Sequence, residues 1–351
     1  LNYIKQHTDS YDKHKNLIYK VASLLKKKYL IGFKYNKGIR DIYNRVNEIN
    51  KNTFYKTILP NITDYYLLDK ADGLRCIGII EGDKLNLLNG KTTTTIQLKD
   101  KYKSCIFDAE YVSGIYYIFD VLMFDGRNVS GEPTRNRILY IPLVVKITGD
   151  ICSPKEIIDL SSDYKKQIYD LWISKKKYTT DGIIFTPKND SYTKCVSWKF
   201  KGDDSSIDFL VKQPDKSKPN ELYLFCGIDR QRFDKFHINL VDGYHELFPN
   251  QNLKNYFPIQ FSPSDSPFAY KYTHPSSEFK LDDIINQVCE FVFDKKWVLT
   301  RVRDDRQKEL ESGVYFGNSF LVAEWTWLNY QDPLTIDDII TEEKSYFQET
   351  K

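Results

Sequence analysis

Residues 11–30 space Leu17, Ile18, Val21, Leu24 and Leu25 at helical intervals, which predicts an amphipathic helix. A second helix is predicted over 39–50. From Tyr65 the pattern shortens to that of strands, over 65–70, 74–80 and 84–90, the last two separated by the turn-like Glu81-Gly82-Asp83. Two more strands, 105–112 and 115–124, flank Ser113-Gly114, a hairpin signature. Helical spacing returns over 163–174, and 181–185 and 196–200 read as short strands around a turn-rich stretch. Beyond Lys201 a hairpin is predicted from 208–213 and 221–227, then a loop-rich stretch with Pro258, Pro263, Pro267 and Pro275, then a closing strand pair at 287–293 and 297–303.

This pattern is that of a larger α+β domain, residues 1–209, followed by a smaller β domain, 210–330, and a C-terminal tail or helix, 331–351. Composition supports two ordinary globular domains: 41% hydrophobic residues, 28% charged, and 15% aromatic. The 51 Lys+Arg against 48 Asp+Glu leave a net charge of +3, which argues against a polybasic protein but allows a locally basic cleft. The six cysteines are scattered singly, so their spacing supports neither a zinc site nor a dense disulfide framework, and suits a reducing compartment. No run approaches the roughly 18 apolar residues of a membrane span, so no membrane partner is expected. Gly90-Lys91-Thr92 fails as a P-loop because Leu85 stands where the first glycine belongs, and there is no H-E-x-x-H. The chain starts at Leu1 and contains a single Met, Met123, as expected of a piece of a longer polypeptide.

The informative feature begins at Lys70-Ala71-Asp72-Gly73-Leu74-Arg75, where a lysine ends a strand and Asp-Gly turns the chain. A bare K-x-D-G arises by chance in on the order of one chain in ten of this length, and read alone it is a hairpin lysine beside a turn aspartate. Five further segments follow in order: Asp108-Ala109-Glu110, Tyr117-Ile118-Phe119-Asp120, Asp181-Gly182-Ile183-Ile184-Phe185, Lys199-Phe200-Lys201, and Trp297 with Arg301-Val302-Arg303-Asp304-Asp305-Arg306. With them the chain resembles the covalent nucleotidyltransferase superfamily, which holds mRNA capping guanylyltransferases and polynucleotide ligases. The D-G-I-I-F segment and the aromatic between Lys199 and Lys201 lean toward capping enzymes. The richness in Lys, Ile, Tyr and Asn, with Asp332-Pro333-Leu334-Thr335, resembles those of the asfarvirus–poxvirus group.

The resemblance implies a nucleotidyltransferase domain followed by an OB-fold β-barrel domain, and the chemistry of an mRNA 5′-guanylyltransferase. Lys70 would attack the α-phosphate of GTP, release pyrophosphate, and pass GMP to a 5′-diphosphate RNA. A lysine amine attacks only as the free base, and its ordinary pKa of about 10.4 falls when other cations crowd it. Arg75, Lys199, Lys201 and a metal ion would supply that crowding and neutralise charge on the phosphorus oxygens. Arg75 and Glu110 would contact the ribose, and Phe119 would stack on guanine or else be a core residue. Asp181, and Glu110 with it, would hold Mg²⁺ or Mn²⁺, while Asp72 would orient its neighbours. Lys199 and Lys201 alternate on a strand, so both could reach one phosphate.

Arg303, Asp305 and Arg306 would meet the β and γ phosphates when the domains close, although the family's final lysine is Arg306 here. The resemblance further implies fusion to an RNA triphosphatase before and a cap methyltransferase after the chain. It places the protein in the cytoplasm of an infected cell, with packaging in the virion as a further option. Two other readings stay open: a ligase working through lysyl-AMP, and an inactive RNA-binding module. The runs Lys26-Lys27-Lys28 and Lys175-Lys176-Lys177 invite an RNA-binding reading, but that of solvated helix ends is preferred, because lysine is favourable at a helix C-terminus in any case.

Overall fold

The structure, a computed structural model, describes residues 2–26, 42–90, 92–202, 205–263, 265–275 and 279–341, with side chains of the first helix from Lys13 onward. The chain forms two compact units, Leu1–Gly202 with Thr335–Lys351, and Asp203–Leu334.

The first unit runs from helix α1 (Asn2–Leu24) through β1 (Arg45–Glu48), β2 (Tyr65–Ala71), β3 (Leu74–Asn89), β4 (Thr92–Val112), β5 (Ile115–Phe124) and β6 (Arg127–Asn128). Helix α2 (Ile141–Thr148), β7 (Cys152–Pro154), β8 (Ile157–Asp159), α3 (Tyr164–Ile173), β9 (Thr180–Pro187) and β10 (Val196–Phe200) complete it. Two sheets result, in the orders β1-β10-β9-β2-β8 and β3-β4-β5-β6, with β7 also paired to β5. Alternation along β3 and β4 buries both faces of the second sheet. Ile77, Ile79 and Ile106 pack with Leu17 and Val21 of α1. Cys76, Ile80 and Phe107 pack with Ile141 and Val144 of α2.

Two sequence expectations fail here. Glu81-Gly82-Asp83 does not reverse the chain: β3 runs through it, and Gly82 (φ +61) forms a bulge between register shifts on either side. The paired strand β4 continues past the same point, so ladder pairing wins over turn chemistry. The helix expected over 39–50 is also absent from the described residues. Arg45–Glu48 is instead a strand paired in parallel with β10, and Ile49 N–H donates to Lys199 O at 2.9 Å. The free edge of β10 supplies main-chain partners that local helical spacing could not foresee. Residues 27–30 of the first predicted helix lie outside the described residues.

The second unit contains β11 (Ile207–Lys212), β12 (Glu221–Asp229), β13 (Tyr256–Gln260), β14 (Lys271–Thr273), β15 (Val288–Asp294) and β16 (Lys296–Val302). Their order is β13-β12-β11-β15-β16, with β14 also on β12. The sheet curls, since residues of both edge strands, Phe257 and Ile259 on one and Trp297 and Leu299 on the other, share one core with Phe209. Helix α4 (Phe320–Gln331), which the sequence pattern did not predict, covers that core with Phe320, Ala323 and Trp327. Its other side carries exposed Val322, Trp325 and Leu328, so no polar face marks its period. The stretch expected as loop contains β13, and Pro258 is tolerated there because β13 is an edge strand. The short helix α5 (Ile336–Thr341) belongs to the first unit, where Asp338 pairs with Lys51.

Candidate active site

Lys70 lies near the end of β2, between Asp69 and Ala71, where the pairing with β9 shifts register. Such a bulge re-aims a side chain out of the alternating pattern. The Lys70 Nζ donates to both carboxylate oxygens of Asp181, at 2.5 and 2.7 Å. Lys201 Nζ stands 3.5 Å from the same carboxylate. Asp181 is brought there by β9, and the glycine after it permits the approach. Gly182 has φ +148, and a Cβ there would sit 2.0 Å from the Phe200 carbonyl oxygen. A Cβ on Gly73 would likewise meet Val112 and the Tyr111 carbonyl at under 3 Å. The glycines of both motifs therefore answer to close backbone packing.

Lys70 lines a cavity of about 260 Å³ whose walls include Arg75, Glu110, Phe119, Lys155, Ile184 and Lys199. Phe119 is half-buried in that wall, not in the core, with the Arg75 guanidinium 5.3 Å from its ring. Arg75 is fixed from behind by Asp108, at 2.5 and 3.1 Å, and by Asn44. Burial opposes its charge, but the Asp108 carboxylate and Tyr192 more than offset this and hold its pKa above the ordinary value. Asp108 is fully buried and also accepts from Tyr192 at 2.6 Å.

Glu110 accepts from Lys155 Nζ at 3.0 Å, and the same amine stands 3.2 Å from Asp69. Asp69 in turn accepts from Tyr178 at 2.9 Å. Lys199 lies 3.5 Å from Glu48. Its pKa is lowered by burial, aided by Lys201 and Lys70 and opposed by Glu48. At one side, buried Arg137 donates to both oxygens of Asp120 at 2.8 Å.

The sequence-named residues are thus only partly gathered. Lys70, Arg75, Glu110, Phe119 and Lys199 line the cavity, and Asp181 and Lys201 are joined to it through Lys70. Asp72 is exposed and outside the lining, although its N–H donates to the Thr179 carbonyl at 3.0 Å. Lys199 and Lys201 have separate carboxylate partners, Glu48 and Asp181. Arg303, Asp305 and Arg306 belong to the second unit. There Arg303 donates to Asp208 at 2.6 Å and to Asp305 at 2.8 Å, while Arg306 donates to Glu309 at 2.8 Å. Arg301 pairs with Glu290.

Sequence reasoning missed Lys155, Asp69, Asn44 and Glu48. The last two fell in the segment misread as a helix. Lys155 follows a proline between two short strands, and nothing in its local sequence distinguishes it from a surface lysine. A divalent cation finds no cluster of three or more His, Cys, Asp or Glu among the described residues. Single carboxylates such as Asp181 and Glu110 fit Mg²⁺, which commonly takes one or two carboxylates and completes its shell with water and substrate phosphate.

No family model matches the chain. It is 32% identical over 334 residues to the mRNA-capping enzyme of African swine fever virus, for instance of the Pretoriuskop and Kenya isolates, a match covering 86% of this chain. The chain spans 38% of the length of these viral proteins. The mRNA-capping enzyme subunit alpha of Kluyveromyces lactis is 22% identical over 354 residues, covering 79% of this chain and 72% of the yeast protein. Among solved structures, a mycobacterial DNA ligase D complexed with ATP superposes with a TM-score of 0.37 at 11% identity, covering 81% of this chain and all of that one. By sequence, the chain is a relative of the mRNA-capping enzymes, aligned with one segment of the viral ones.

Proposed function

We propose that the chain is an mRNA 5′-guanylyltransferase that works through a covalent Lys70–GMP. The observation that carries this reading is the Lys70 amine at the wall of a cavity that also presents Arg75, Phe119 and Glu110, with Lys199 and Lys201 close by. An aromatic face suits a purine base. The Lys70 Nζ forms a bond to the α-phosphorus of GTP as the bond to pyrophosphate breaks, and its proton passes to Asp181 or to solvent. An oxygen of the terminal phosphate of a 5′-diphosphate RNA then attacks the same phosphorus. The P–Nζ bond breaks, the amine regains a proton, and the 5′–5′ triphosphate cap is left.

In this reading Arg75 and Glu110 hold the ribose, and Phe119 stacks on guanine. Asp72 orients the turn after the nucleophile through its N–H bond to Thr179. Lys199 and Lys201 neutralise the α-phosphate oxygens, and Arg303, Asp305 and Arg306 meet the β and γ phosphates. Mg²⁺ or Mn²⁺ at Asp181 and Glu110, when bound, supplies further charge neutralisation. We extend the proposal to an OB-type barrel for residues 210–330, consistent with the curled sheet that closes on one core. It also takes in fusion to a triphosphatase and a cap methyltransferase, and work in the cytoplasm of an infected cell. No described helix is long and apolar enough to cross a membrane.

The test is incubation with Mg²⁺ or Mn²⁺ and α-labelled GTP or ATP, followed by denaturing separation and mild acid. An acid-labile label from GTP that is lost in Lys70→Ala is the expected result. A label from ATP alone would mean a ligase, and no label from either would mean an inactive binding module.

A further inference from the structure

Beyond the nucleotide cavity, residues 174–179 connect α3 to β9. Ser174 ends the helix in an extended conformation (ψ 135), so Lys175, Lys176 and Lys177 lie past the helix and not in its last turn. The attraction of a helix dipole for cations fades within that turn and does not account for all three. They differ in partner as well. Lys176 pairs with Glu156, whereas Lys175 and Lys177 are exposed and have no ion-pair partner among the described residues.

This segment is fastened to the nucleophile's strand. Thr179 O accepts from Asp72 N–H at 3.0 Å, Thr180 pairs with Ala71, and Tyr178 Oη donates to Asp69, the residue before Lys70. The Tyr178 ring lies 4.6 Å from that of Tyr117 at an interplanar angle of 58°. Tyr117 stands opposite Glu110 in the β4–β5 ladder and two residues before Phe119. The aromatic pair therefore adjoins the wall of the cavity without belonging to its lining, and the two exposed cations lie in the segment that leads into it.

We propose that this shoulder docks the acceptor, the 5′-diphosphate end of a single-stranded RNA. Lys175 and Lys177 take its phosphates, and the Tyr117–Tyr178 pair offers an aromatic surface to its first base, the combination by which proteins hold single strands without reading sequence. The inference rests on the guanylyltransferase reading and adds the site of its second substrate.

The experiment measures the two half-reactions separately in the full chain. In Lys175→Ala/Lys177→Ala, labelling of Lys70 by GTP should match wild type, which also shows that the variant folds. Transfer of GMP to a short 5′-diphosphate RNA should show a KM raised about tenfold, as two exposed charge contacts predict. The slope of log affinity against log salt should fall by about 1.4, at about 0.7 per phosphate contact on a single strand. Tyr117→Ala should raise the same KM about tenfold with the salt slope intact. An unchanged RNA KM and slope in the lysine double variant would overturn the proposal. So would an equal loss of GTP labelling, which would assign the lysines to the first substrate. A wild-type chain that takes no GMP label overturns the parent reading, and this one with it.

Discussion

The Lys70 amine and the Asp181 carboxylate, 111 residues apart in sequence, meet at 2.5 and 2.7 Å through both carboxylate oxygens. The contact joins the end of β2 to the start of β9, and Lys201 approaches the same carboxylate from β10's end. Asp181 thus fixes the direction of the amine and balances two of the cations around it.

Replacing Asp181 by Asn keeps the shape and removes the charge. Hydrogen bonds to charged groups contribute about 1.5–3 kcal/mol, so the rate of Lys70 guanylylation should fall roughly ten- to a hundredfold. Quench-flow labelling with α-labelled GTP measures this. A thermal midpoint within a few degrees of wild type would assign the loss to the site.

Gly182→Ala tests whether backbone packing delivers Asp181. The added Cβ meets the Phe200 carbonyl oxygen at 2.0 Å, at a φ of +148 that side chains rarely adopt. A destabilisation of about 2 kcal/mol or more is expected, with a matching loss of labelling. Gly131→Ala is the control, because a Cβ there meets nothing within 4 Å, and its change should stay within about 0.5 kcal/mol. Urea denaturation compares the two.

Lys155 is 5% exposed and bridges Asp69 and Glu110. Lys155→Met leaves two carboxylates facing each other without their shared cation, and breaking a buried pair from one side costs about 3–5 kcal/mol. The loss should appear in chemical denaturation. Adding Glu110→Gln should restore part of it, since one of the stranded charges is then gone.

The pH dependence of the second unit should show the grip of Arg303 on Asp305. Hydrogen bonding from Arg303 holds the Asp305 carboxyl below its ordinary 3.8. A depressed carboxyl adds stability that is present above the unfolded value and lost as pH falls through the lower folded one. In carboxyl-detected NMR titration, Asp305 should protonate below 3.8 in wild type and move back toward that value in Arg303→Ala. An unmoved titration would mean that the arginine is held elsewhere.

What the sequence determined by itself was a set of motif segments and their order along the chain. The six motif segments point to one family, and the viral and yeast relatives agree with that assignment. Strands whose alternation is local, such as Ile115–Phe124 and Glu221–Asp229, were also legible, because their period is written in consecutive residues. Tertiary structure decided what depends on partners far away in sequence. Arg45–Glu48 became a strand only because β10 offers an open edge. Gly82 bends a continuous strand because β4 continues opposite it. Lys155 joined the site only because β7 pairs in parallel with β5, carrying the chain just beyond it to Glu110. A lysine's local sequence does not say which carboxylates it will meet, and that pairing is long-range geometry.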